Sequence, residues 1–85
     1  MFTYEVTRLC HSDNPDVQRK AELYNIDTHQ THYILFREHD ADKSQLSAIF
    51  TDDDYNVIKS TAVLQAINGH EASNLQVGDI LEIIL

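Results

Sequence analysis

A single cysteine, Cys10, rules out an intramolecular disulfide, so no covalent staple reinforces this 85-residue chain, and a reducing compartment is the expectation. Two glycines, Gly69 and Gly78, supply no phosphate-cradling loop. With one proline and no Pro/Gly/Ser-rich stretch there is no linker, and residues 1–85 are read as one domain. Positive charge is scarce as well. Six Lys and Arg stand against fourteen Asp and Glu, and the net charge of −8 makes nucleic acid and anionic membranes poor partners. No apolar run approaches the roughly 20 residues that span a bilayer. The opening MFTYEVTRLC, interrupted by Glu5 and Arg8, lacks the basic start and apolar core of a signal peptide. The chain is therefore expected to be cytoplasmic.

What the sequence does have is an ordinary apolar fraction, 42%, enough to fold at a size where the margin of stability is small. Its acidity is uneven. Residues 51–85 carry Asp52, Asp53, Asp54, Glu71, Asp79 and Glu82 against Lys59 alone, a net −5 of the total.

Residues 2–10 alternate, with Phe2, Tyr4, Val6 and Cys10 on one face, which predicts a half-buried strand with Cys10 inside. In S-D-N-P-D-V-Q-R-K-A-E-L-Y, Asp13 or Asn14 can cap and Pro15 can open a helix whose stripe is Val17, Ala21 and Tyr24, placing a helix at 15–24. Strands follow at 29–38 and 45–50. The stretch S-T-A-V-L-Q-A-I-N-G reads as a strand ending in an Asn-Gly turn or as a helix stopped by Gly69. H-E-A-S-N after it shows no alternation and so offers no partner strand, which favours a helix over 57–67. V-G-D-I-L-E-I-I-L closes the chain as an apolar strand.

The resulting order, β-α-β-β-α-β, predicts an α+β, ferredoxin-like two-layer sandwich, an antiparallel sheet with both helices on one face. The ending N-L-Q-V-G-D-I-L-E-I resembles the closing strand of β-grasp proteins of the ubiquitin and sulfur-carrier type, which makes a β-grasp-like sheet the alternative fold. Carriers of that type use a diglycine tail, and this sequence ends in Ile84-Leu85, so the resemblance implies fold without carrier activity.

Catalytic and metal chemistry find little footing. Asp52, Asp54 and Asn56 have the 1, 3, 5 spacing of a calcium loop, but the glycine and glutamate needed at positions 6 and 12 are Val57 and Val63. Of the five histidines, His29 and His32 would point to opposite faces of one strand, and Cys10 and His11, being adjacent, face apart. No catalytic residue, metal ligand or cofactor is assigned, and a non-enzymatic role is expected.

Two roles remain. In the first, Asp52, Asp53, Asp54, Tyr55 and Glu71 dock on the basic surface of a partner protein, as a small acidic inhibitor or adaptor of the kind phages and mobile elements produce. Such a module would be only a partial mimic of DNA, since about 30 Å of duplex carries about 18 phosphates. In the second, Ile80, Leu81, Ile83 and Leu85 of an edge strand join two copies in a homodimer, making the chain a structural subunit of a larger assembly.

Overall fold

Period-two patterning runs through almost the whole chain, and the computed structural model, which describes residues 2–14 and 16–84, is a closed barrel of six antiparallel strands. The strands are β1 (Phe2–Leu9), β2 (Arg19–Asn25), β3 (Thr31–Phe36), β4 (Gln45–Thr51), β5 (Val57–Asn68) and β6 (Ile80–Ile84). They run up and down in chain order, and β6 returns to β1 with Phe2 opposite Ile83 and Tyr4 opposite Leu81. Among the described residues the only other regular elements are two single 3-10 turns, Glu38–Asp40 and Ala72–Asn74. No helix there is long and apolar enough to cross a membrane.

This overturns the α+β expectation, and with it both the ferredoxin-like and the β-grasp-like readings. The segment expected to be a helix at 15–24 holds β2, with Pro15 itself outside the described residues. Ala21, Leu23 and Asn25 face inward while Lys20, Glu22 and Tyr24 face outward. The alternation was masked because its inward members include a small and a polar residue, leaving a spurious helical stripe. The second expected helix, 57–67, is β5. Its rich content of Val, Ile and Thr suits a strand. Its partner β6 lies beyond an eleven-residue connection, so the missing alternation just after Gly69 does not count against strand pairing.

Barrel closure dictates the core. With six strands the interior is narrow, so alanines Ala21, Ala48 and Ala62 alternate with Leu23, Ile34, Phe36, Leu46, Phe50, Leu64, Leu81 and Ile83 inside it. Ala72 and Leu75 of the β5–β6 connection join that core and plug one end. Along β1 the pairing passes from Val6–Leu23 to Arg8–Glu22, so Thr7 is an extra, bulged residue. The bulge reverses the phase of the strand. Leu9 packs against the core, Arg8 stays in solvent, and Cys10, expected inside, is exposed.

With so few glycines, the connections close by other means. Each is held by an Asn or Asp side-chain oxygen accepting backbone N–H groups, a local mimic of a turn. Asn14 accepts from Asp16 (3.0 Å), Asn25 from Asp27 and Thr28 (2.9 and 3.0 Å), and Asp42 from Ser44 and Gln45 (2.9 and 2.7 Å). Asp52 accepts from Asp54 and Asn56, both at 2.9 Å. Asp79, nearly buried, accepts from the backbone of His70 and Gln76 and from the His70 ring at 2.9 Å. Burial pushes the Asp79 carboxyl up, but these donors outweigh it and hold it below the usual carboxylate range. The backbone of Asp79 also accepts from the amide of Val6, tying the β5–β6 connection to the seam.

Only here is a glycine indispensable. Gly69 has φ +124°, and a Cβ on it would lie 2.5 Å from Asp79 Oδ1, whereas Gly78, at φ +96°, faces open space. Gly69→Ala is expected to cost about 3 kcal/mol, because backbone strain adds to a broken carboxylate clamp. Gly78→Ala should cost only the strain, about 1 kcal/mol. Denaturant midpoints of the two variants check this ordering.

Candidate functional site

The up-and-down topology sorts the connections into two rings. The plugged end carries the β1–β2, β3–β4 and β5–β6 connections; the other, called here the terminal end, carries the start of β1, the finish of β6 and the turns 26–30 and 52–56. Charge is sorted with them. At the plugged end acids are interspersed with bases: Arg19 pairs with Glu38 at 2.9 Å, and Arg37 and Lys43 lie in the same loops. The terminal turns hold Asp27, Asp52, Asp53 and Asp54 and no Lys or Arg. Around them lie six of the large apolar side chains left exposed: Phe2, Ile26, Tyr55, Val57, Ile58 and Ile84.

The expected partner-binding set is thereby divided. Asp52, Asp53 and Asp54 stand together, but Glu71 follows β5 and lies at the plugged end, a full strand away. Acidity clustered in the second half of the sequence is not clustered in space, and Asp79 is buried besides. Asp52 is itself occupied by the turn, and the Asn56 backbone N–H that it accepts is the main reason its carboxyl sits below the usual range.

The expected oligomer residues fare differently. Strand β6 is paired on both sides, so it is not an edge. Leu81 and Ile83 have no accessible surface, Ile80 is half-buried, and Leu85 lies outside the described residues. The first two belong to the barrel core and cannot serve a second chain while the barrel stands.

A cleft of about 350 Å³ opens at the terminal end, lined by His29, Gln30, Thr31, His32, Asp52 and Asp53. The two histidines meet there because His29 sits in the turn before β3, not within the strand. Among the described residues no group of three or more His, Cys, Asp or Glu is arranged to hold a metal ion. His32 projects inward, stacked on Phe50 at 4.9 Å and edge-on to Tyr4, and its buried Nδ1 has no hydrogen-bond partner. Burial pushes its pKa down, and the nearby Asp52 and Asp53 carboxylates pull it only partly back.

Tyr55 is the one predicted site residue with an unusual backbone. It lies in the left-handed region at φ 65°, and its ring folds back over the barrel wall to stack on Tyr33, 4.5 Å between centroids and 22° between planes. Lys20 joins the pair, its Nζ donating to the Tyr55 hydroxyl at 3.0 Å. Reading β2 as a helix concealed this grouping. The outward alternation Lys20, Glu22, Tyr24 beside Tyr33 would have been the signal for it.

Compared with known proteins, no family model matches the chain, and neither the curated proteins nor the solved structures give a significant match.

His32 generates a pH dependence. Its folded pKa lies below the unfolded value near 6.5, so the unfolded chain takes up the proton first. Stability is therefore expected to fall as pH drops below about 6.5 towards the lower folded value. His32→Phe removes the unpaired buried nitrogen and should raise stability by about 1 kcal/mol at neutral pH and by more at mildly acidic pH. Thermal melts across that interval, compared with wild type, measure both effects.

Proposed function

We propose that the chain is a non-enzymatic binding module that sets its terminal end against a cationic, partly apolar surface of a partner protein. One observation carries this reading: Asp27, Asp52, Asp53 and Asp54, with no basic residue in their turns, border exposed Phe2, Ile26, Val57, Ile58 and Ile84. An apolar area rimmed by polar groups of one sign has the composition of an interface with a complementary partner. Burying the apolar groups would supply affinity, while the carboxylates would speed encounter and reject anionic competitors.

The same charge argues about symmetry. A two-fold contact through this end would set four aspartates against four, which repel. A cationic heterologous partner relieves that repulsion, so the terminal end suits a different protein better than a second copy. The acids are also too few for duplex mimicry, since only Asp27, Asp53 and Asp54 remain free of turn hydrogen bonds from their side chains.

Neutralising those three to Asn keeps the turn acceptors of Asn25 and Asp52 and should leave the barrel folded. A partner captured with the tagged chain from source cells is expected to bind this triple variant on the order of tenfold more weakly in purified form, with reduced salt dependence. Glu71→Gln, at the plugged end, should bind as wild type. Calorimetry showing the reverse order, with Glu71 essential and the triple variant unaffected, would refute the assignment.

A further inference from the structure

A groove of about 530 Å³ runs along the outer wall, bounded by Arg8, Lys20, Glu22, Tyr33, Tyr55 and Val77. Its size falls within the range of small-molecule sites, about 300–1,000 Å³. Three departures from regular structure converge on it. The Thr7 bulge sets both Thr7 and Arg8 against Glu22. Tyr55 adopts a left-handed backbone that glycine or asparagine would take at less cost. Lys20 lies 5.7 and 5.1 Å from the Tyr33 and Tyr55 ring centroids, with no carboxylate partner among the described residues. The bulge also turns Leu9 onto the core, but the Tyr55 conformation and the Lys20 placement serve no core contact. Tyr55 takes no part in the core and remains 48% exposed. Strain and bulges at surface positions gather where a site is built.

We propose that this groove binds a small planar aromatic ring bearing an acidic group. The exposed Tyr55 ring, braced from behind by Tyr33, is a stacking platform. The Lys20 ammonium uses one N–H on the Tyr55 hydroxyl and keeps two for a ligand. The Arg8 side chain, 83% exposed, touches Glu22 only at 3.9 Å and leaves its outer guanidinium nitrogens free. Glu22 accepts from the hydroxyls of Thr7 (3.0 Å) and Tyr33 (3.3 Å), which orders the wall, and its charge offsets only one of the two bases, leaving the groove net positive. A cationic ring is disfavoured by Arg8 and by Lys20, which already faces the tyrosines. An uncharged ring leaves both bases unused. A polyanion meets the field of a chain carrying −8. A ring with one acidic group matches all three constraints. Nucleoside monophosphates and aromatic carboxylates share that chemistry. The site shares Tyr55 with the terminal turn 52–56, while its bases, Arg8 and Lys20, belong to the wall strands β1 and β2.

The test is a titration of the full chain, followed by NMR at the Tyr33 and Tyr55 rings and the Lys20 side chain. The probes are adenosine monophosphate and indoleacetate, each paired with its uncharged counterpart, adenosine or indole, and with inorganic phosphate or acetate alone. Saturable shifts at millimolar or lower concentration are expected from at least one charged ring, and which one responds identifies the source class. Its uncharged counterpart should bind at least about tenfold more weakly, and phosphate or acetate alone should not shift the rings. Lys20→Gln should weaken binding by a similar factor. Tyr55→Asn, which suits the left-handed turn, should melt at a higher temperature than wild type and yet lose binding. The proposal fails if neither charged ring saturates, if the uncharged rings bind as well, or if Tyr55→Asn retains wild-type affinity.

Discussion

The seam between the first and last strands is the constraint on which the rest depends. Phe2 to Glu5 must meet Ile83 to Ile80 in register, from opposite termini, before β1 and β6 each gain a second neighbour. Once they do, no edge strand is left along most of the wall, and every alternate residue faces a narrow interior. That is why Leu81 and Ile83 are wholly buried in a strand whose sequence suggests an exposed edge. It is also why Asp79 matters, since its backbone holds Val6 and its carboxylate holds the connection that delivers β6 to the seam.

The strands at 2–9, 31–36, 45–51 and 80–84 were legible in the sequence, because each carries a run of β-branched or aromatic residues in alternation. The two misread segments failed for different reasons. In β2 the inward positions are Ala21, Leu23 and Asn25, whose mixed size and polarity weaken the two-residue period until a three-to-four spacing competes with it. In β5 one partner, β4, lies just across the turn 52–56, but the other, β6, is distant in sequence, and pairing across such a connection leaves no local trace. Secondary structure here is imposed by closure, a tertiary condition that overrides local preference.

Site legibility followed the same line. Asp52, Asp53 and Asp54 are neighbours in the chain and so remain neighbours in the fold. Glu71 shares with them only the acidic half of the sequence, and a twelve-residue strand separates them in space. Lys20, Tyr33 and Arg8 come from three strands, and His32 is interior; their association exists only after the wall is assembled. The bulge at Thr7 left one mark, an arginine on an otherwise apolar face of β1, which can be resolved only by shifting the strand's phase.

The dependence of all five connections on Asn or Asp oxygens has a consequence for how the chain finds its shape. Each such residue lies within a few positions of the amides it gathers, apart from Asp79, so four of the five bends can form before distant segments have met. Folding of this chain can then begin as independent two-strand units, whose local contacts make them fast. The fifth bend joins residues 70 and 79 across a longer stretch and delivers the last strand. The slow event is thus reserved for the moment when the cylinder shuts.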